Sequence, residues 1–261
     1  MNLKERQKLL TRYKDVFESE KNYYHKRISS SSGEQDLESE SFFRKANLKF
    51  KEMLGDVKNK RILDIGCGVG SISFYLAQKG AKVTGIDLSA NLIEYCKKEA
   101  KRRKLEIQFK EMNAQIPDFE DESFDIIVGS RVVHHIPEIE VFFKECMRLL
   151  KKGGFIAFIE PLKKNIIVEL NRKIFAPNKR TIHEHPLLIS DVLLAKSIFG
   201  NVEHYEYFLL SPLAMFFKDF VKINSVFGVL YKVLNKIEAP LIKLKPLKPY
   251  CWQTVFKSVK I

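Results

Sequence analysis

One short stretch, RILDIGCGVGSIS at residues 61–73, constrains this chain more than any other. Its first half has apolar residues at Ile62, Leu63 and Ile65 and the length of a buried strand, and helical spacing begins at Ser71. Between the two stand three glycines, at Gly66, Gly68 and Gly70. Such a turn brings backbone N–H groups close to a ligand, because no Cβ intervenes. The stretch therefore predicts an α/β fold with a ligand-binding turn after its first strand.

The spacing of the glycines indicates the kind of ligand. A dinucleotide fingerprint has glycines at its first, third and sixth positions. Here Ser71 stands at the sixth position, and the third glycine comes one residue early at Gly70. Asp64, two positions before the first glycine, would repel a pyrophosphate. An adenosine ligand with a cationic amino-acid end suits this turn better.

The pattern Asp64-x-Gly66-x-Gly68-x-Gly70 resembles (D/E)xGxGxG, the first motif of the class I S-adenosylmethionine (SAM) dependent methyltransferases. The chain is most similar to small bacterial enzymes related to ubiquinone and menaquinone methyltransferases, over roughly residues 45 to 160. The resemblance implies a doubly wound, seven-stranded, mostly parallel Rossmann-like α/β sheet. It also implies SAM as the cofactor and S-adenosyl-L-homocysteine as the product.

Asp87 ends the second predicted strand, where an adenosine-binding fold needs an acceptor for the ribose hydroxyls. The alternative is that it caps the next helix together with Ser89. Asn113 stands where the resembling family usually has an acid for the adenine amino group, and it keeps an acceptor without the charge. The predicted cofactor-binding residues are Asp64, Gly66, Cys67, Gly68, Gly70, Asp87, Leu88, Asn113, Ala114, Ser130, Arg131 and His135.

Histidines supply the candidate acid–base chemistry. The fourth predicted strand ends in SRVVHHI, and in the resembling family the second histidine of such a pair, here His135, points toward the cofactor. The segment RTIHEHP at residues 180–186 is consistent with a metal site, a general base or substrate anchor, or a helix cap. No Asp, Glu or Cys joins the His134–His135 pair at ligand spacing, so we expect no metal. The catalytic candidates are His135, His183, Glu160, His185 and Tyr207.

Four segments organise the chain. Residues 1–54 form a predicted N-terminal helical lid, 55–210 the SAM-binding core, 211–249 an amphipathic helical insertion, and 250–261 the last strand. The resemblance implies that the lid folds over cofactor and substrate, with Tyr23, Tyr24 and His25 as candidates for the pocket roof. The insertion is basic with aromatic and aliphatic residues at helical spacing, so it is a cap on the sheet, a dimer surface or a membrane-interface helix.

Composition and charge bear on the partners and the cellular location of the protein. The net charge of +13 indicates an anionic partner or simply a solvated surface. The four cysteines form no CxxC pair and fit reduced thiols, and no secretory h-region appears at the N-terminus. We expect a cytoplasmic protein, a monomer or homodimer, with peripheral contact to the inner face of the membrane through residues 211–249 as an open alternative.

The resemblance implies methyl transfer from SAM to O, N or C of a small molecule, lipid-like acceptors included. The alternatives are an RNA methyltransferase and a catalytically silent SAM-binding module. No Asn-Pro-Pro-Tyr motif follows the fourth strand, which argues against amino-methylation of DNA bases or protein amides. No Pro-Cys dipeptide supports cytosine-5 chemistry, and no RNA-binding appendage is recognisable, so nucleic acid is not favoured as a partner.

Overall fold

A computed structural model describes residues 3–27, 42–175, 183–219 and 224–261. Within these residues one sheet has the strand order β3-β2-β1-β4-β5-β7-β6. The strands are β1 (Arg61–Ile65), β2 (Lys82–Asp87), β3 (Ile107–Glu111), β4 (Phe124–Ser130), β5 (Leu150–Pro161), β6 (Glu203–Tyr207) and β7 (Gln253–Val259). Neighbouring strands are parallel except β7, which is antiparallel to both β5 and β6. The predicted seven-stranded, mostly parallel sheet is confirmed.

Helices cover both faces of the sheet and surround its edge. They are α1 (Leu3–Arg12), α2 (Lys14–Arg27), α3 (Arg44–Leu54), α4 (Ser71–Gln78), α5 (Ala90–Arg103), α6 (Ile139–Leu149), α7 (Ile166–Phe175), α8 (Ile189–Phe199), α9 (Pro212–Asp219) and α10 (Asn224–Leu241). Short 3-10 helices span Val133–His135 and Lys245–Tyr250. The predicted helical segment 1–54 contains α1 and α2, which meet at Tyr13, and α3. Its stretch from Ser29 to Ser41 is polar and turn-rich, which predicts a loop or mobile lid, and it lies outside the described residues.

The central strands carry apolar side chains toward both faces of the sheet, which is typical of parallel strands covered on both sides. Leu63 of β1 and Ile127 of β4 belong to the core on one side of the sheet, while Ile62 and Ile126 belong to the core on the other. The strand order reverses at β1, which has β2 on one side and β4 on the other. In open α/β sheets the crevice at the carboxyl ends of such strands binds ligands.

The segment between β6 and β7 packs on the second of these cores through aromatic rings. Phe42 lies 5.0 Å from the Phe208 ring and 4.9 Å from the Tyr231 ring, centroid to centroid. The Tyr231 hydroxyl donates a hydrogen bond of 2.8 Å to the Phe42 carbonyl. Glu238, buried on α10, accepts hydrogen bonds from the N–H groups of Leu210 and Ser211. One face of α10 is therefore a cap on the sheet.

Among the described residues, none of the helices combines the length and apolar character needed to cross a bilayer.

Candidate functional site

The glycine turn after β1 adopts a backbone that explains its composition. Gly66, Gly68 and Gly70 have φ values of +63°, +54° and +82°. A Cβ on Gly66 would lie 2.5 Å from Cγ2 of Val132, and one on Gly70 would lie 2.8 Å from the Phe74 ring. A Cβ on Gly68 would meet nothing within 4 Å, so its positive φ is what favours glycine there. The turn leads directly into the N-terminus of α4, as the sequence predicts.

Asp87 ties this turn to the end of β2. Its two carboxylate oxygens accept hydrogen bonds of 2.9 Å, one from the Gly68 N–H and one from the Ser89 N–H. Burial raises the pKa of Asp87, and these hydrogen bonds together with the charge of His135 oppose the rise. The cap of α5 is Ser89, whose hydroxyl accepts from the Leu92 N–H at 3.4 Å. Each carboxylate oxygen keeps a lone pair for a further donor such as a ribose hydroxyl.

Asp64 lies beneath the turn rather than at its surface. The Ser73 hydroxyl donates a hydrogen bond of 2.6 Å to its carboxylate, which connects β1 to α4. Burial raises the pKa of Asp64 to about 7, with the neighbouring charge of Asp87 as a smaller cause. Cys67, also buried, has a thiol pKa raised well above its usual range by its hydrogen bond with Cys96 and by burial.

The predicted adenine-side residues follow β2 and β3. Leu88 directly follows Asp87 and is half-buried, and Ala114 is buried. The carboxamide oxygen of Asn113 accepts the Gln115 N–H at 2.8 Å. A reciprocal pair of hydrogen bonds joins the Gln115 side chain to the Glu138 backbone. These hydrogen bonds hold the turn after β3 in place. The Gln115 N–H occupies one of the two lone pairs of the Asn113 carboxamide oxygen.

At the end of β4, Ser130 is half-buried and Arg131 is exposed. Arg131 has a positive φ of 57°, and its N–H donates to the Ile159 carbonyl at 2.8 Å. Its guanidinium lies 4.7 Å from the centre of the Phe43 ring, which precedes α3. Its side chain thus contacts the N-terminal part of the chain.

Glu160, at the end of β5, organises the histidine pair. One of its oxygens accepts the N–H groups of Val132 and Val133 at 2.8 and 2.9 Å. The other lies 2.7 Å from Nδ1 of His134. Because the Glu160 carboxylate is fully buried and has these three partners, we assign it a positioning role, although the sequence offers it as a candidate base.

His135 faces the N-terminal helix. Its Nδ1 lies 3.0 Å from a carboxylate oxygen of Glu20 on α2, and both side chains are largely buried. The rings of His134 and His135 are 4.1 Å apart, centroid to centroid. Sequence reasoning missed Glu20, since a glutamate in an amphipathic helix carries no signal of its own. The predicted roof residues Tyr24 and His25 have side chains outside the described set.

The segment at residues 183–187 lies against the same histidine pair. The His185 N–H donates to the His134 carbonyl at 3.0 Å, and Leu187 pairs with Leu162 beyond β5. This packing brings the Glu184 side chain to the histidine pair, with one of its carboxylate oxygens 3.9 Å from Nε2 of His134. Nδ1 of His185 lies instead 3.0 Å from the carbonyl of His183.

Tyr207 lies apart from these groups. It ends β6, which is separated from β1 by β4, β5 and β7. Four strand spacings amount to about 19 Å. Burial raises the pKa of Tyr207 to about 12, so the hydroxyl keeps its proton at neutral pH.

Comparisons with known proteins find similarity in the central part of the chain. Residues 63–158 match the family described as "Methyltransferase domain". A ubiquinone biosynthesis O-methyltransferase from Coxiella burnetii is 37% identical over 111 residues, which are 42% of this chain and 47% of that protein. The corresponding protein from Pelagibacter ubique is 41% identical over 110 residues, 42% of this chain and 45% of its own length. The match therefore spans about half the length of these curated relatives.

Among solved structures, Haemonchus contortus phosphoethanolamine N-methyltransferase 2 in complex with S-adenosyl-L-methionine has a TM-score of 0.58. The alignment covers 83% of this chain and 52% of that one at 21% identity. At this identity the likeness concerns the fold.

Proposed function

We propose that this protein, whose central segment belongs to the class I SAM-dependent methyltransferases, transfers a methyl group from SAM to a hydroxyl oxygen of a hydrophobic small molecule. The proposal rests on one observation: the glycine turn, Asp87 and His135 lie close together at the carboxyl ends of the central strands. The curated relatives with O-methyltransferase names support oxygen over nitrogen or carbon as the acceptor atom.

The residues fit the cofactor. Asp87 would accept the ribose hydroxyls, while Leu88, Asn113 and Ala114 would border the adenine. The glycine turn would lie against the amino-acid end, where a Cβ is excluded at Gly66 and Gly70. When bound, SAM supplies an activated sulfonium methyl group, so the protein's task is to align the acceptor, exclude water and remove a proton.

His135 is the residue that we assign to proton removal. It is near the Asp87 carboxylate, and the Glu20 carboxylate 3.0 Å from its Nδ1 holds the imidazole ring in place. His183 and His185 remain alternative bases. The distance of Tyr207 from β1 and its raised pKa argue against it.

Exposed apolar residues support a hydrophobic acceptor that the protein binds at a lipid surface. On α7, Ile166 and Ile174 are 66% and 63% exposed, and on α10 Val229 is 66% exposed. Helix α7 packs against α9, and α9 packs against α10. Exposed Lys173 and Lys232 flank these residues. Exposed apolar side chains with neighbouring cations suit the interface of an anionic membrane.

Calorimetric titration with SAM tests the cofactor assignment. We expect micromolar binding to the wild-type protein and to Asp56→Ala, a control in an exposed loop, and loss of binding in Asp87→Ala. S-adenosyl-L-homocysteine formation is then measured with phenols that have or lack a long apolar tail, and with an RNA transcript. Binding without turnover on any acceptor would favour a silent SAM-binding module, and no SAM binding would overturn the proposal.

Flotation with vesicles containing anionic lipid tests the surface contact. We expect Val229→Glu to weaken binding at least several-fold. Leu193→Glu, at an exposed position on α8, is the matched control and should bind as the wild type does. Equal binding by both variants would remove the support for the lipid surface.

A further inference from the structure

We propose that His134, His135 and Glu184 form a binding site for a divalent transition-metal ion. One ligand atom from each of these residues lies within 4.8 Å of the others. The two histidines come from the 3-10 helix after β4, and Glu184 comes from the segment before α8, about fifty residues later. A modest approach of these side chains would bring all three atoms to the distances of about 2.0 to 2.2 Å typical of such ions.

Glu160 prepares His134 for this role. Because the Glu160 carboxylate is occupied with two backbone N–H donors, it acts as an acceptor toward Nδ1 of His134 as well. The proton of the neutral ring therefore lies on Nδ1, and Nε2 carries a free lone pair. That Nε2 lies 3.9 Å from a carboxylate oxygen of Glu184. A carboxylate that orients a histidine in this way is the usual outer partner of a protein metal ligand.

The charges around the pair also favour a cation. Glu160 contacts His134, Glu20 contacts His135, and Glu184 lies between His134 and Arg172. The Arg172 guanidinium lies 3.5 Å from a carboxylate oxygen of Glu184. Buried carboxylates need compensation by a paired cation or a metal.

The donor set indicates which ions fit. Two imidazoles and one carboxylate suit Zn²⁺, Fe²⁺ and related ions better than Ca²⁺ or Mg²⁺. Three protein ligands leave a position open for water or another oxygen. The use of that position by the acceptor oxygen rests on the proposed function, whereas metal binding itself does not. A His135 nitrogen bound to the metal cannot also act as a base, so the metal-loaded protein would leave proton removal to His183 or His185.

Zinc titration of untagged, chelator-treated protein tests the site, with calorimetry for affinity and Co²⁺ visible absorption for coordination. We expect one Zn²⁺ per chain in the wild type and at least about 100-fold weaker binding in Glu184→Gln. His183→Gln, which changes the preceding residue outside the cluster, should bind as the wild type does. Circular dichroism and the thermal midpoint without metal establish that each variant is folded.

Glu160→Gln provides a second variant. An amide N–H facing Nδ1 would move the imidazole proton to Nε2 and block the lone pair, so we expect about 10- to 100-fold weaker zinc binding. Absence of stoichiometric Zn²⁺ binding, or affinity that Glu184→Gln leaves unchanged, would overturn the proposal. SAM titration without added metal is measured on the same variants. It tests the proposed function separately, because SAM binding does not depend on the metal site.

Discussion

Replacement of Glu160 by alanine should destabilise the protein more than any surface change. The substitution removes the acceptor for the N–H groups of Val132 and Val133, and the partner of Nδ1 of His134. A buried donor left unpaired costs about 1–3 kcal/mol, so the two amides alone amount to about 2–6 kcal/mol. Glu160→Gln keeps one oxygen for the amides and exchanges charged for neutral hydrogen bonds, for which we expect a loss of about 1–2 kcal/mol.

Urea unfolding, followed by circular dichroism, measures the free energy of unfolding of both variants. An unchanged dependence of this free energy on urea concentration indicates that the variants unfold in the same transition as the wild type. Glu203→Ala, which removes an exposed glutamate from β6, should stay within about 0.5 kcal/mol of the wild type. If Glu160→Ala unfolds too readily for this assay, the thermal midpoints of all three variants give the same order. A loss below about 1 kcal/mol for Glu160→Ala would refute the reasoning, since it would mean that the amides have other partners.

Three further predictions concern the turn, its buried acid and the aromatic cluster. Gly70→Ala should cost about 1–3 kcal/mol and weaken SAM binding, because its Cβ would lie 2.8 Å from Phe74 at a φ of +82°. Gly153→Ala, with φ +76° and open space, should cost only about 1 kcal/mol, and equal losses in urea unfolding would contradict the steric argument. Since the folded pKa of Asp64 is raised to about 7, the folded state binds the extra proton, so stability should fall as pH rises from about 4 through 7. Asp64→Asn should flatten that slope, and an unchanged slope would exclude this carboxyl as its source. Phe42→Ala should lower the free energy of unfolding in urea by about 3–5 kcal/mol, and a loss under about 1 kcal/mol would mean that the ring is not packed as described.

Local patterns were sufficient for the sheet. Strand β1 has five residues, three of them apolar, and its glycine turn has a spacing that few other structures require. The resemblance that these motifs carried implied a mostly parallel sheet, and the structure identifies β7 as the antiparallel strand. The division between α1 and α2 at Tyr13 came only from the structure, because helical spacing says little about where tertiary packing interrupts a helix.

By itself, then, the sequence determined the α/β class and the glycine turn, and it placed Asp87 at the end of the second strand, since these features depend on a few adjacent residues. Only the tertiary structure decided what surrounds His134 and His135. Glu20, Glu160 and Glu184 reach the pair from three distant segments, and no spacing along the chain relates them. The physical reason is that parallel strands and the elements beyond them converge at one edge of the sheet, so neighbours there are set by strand order and packing.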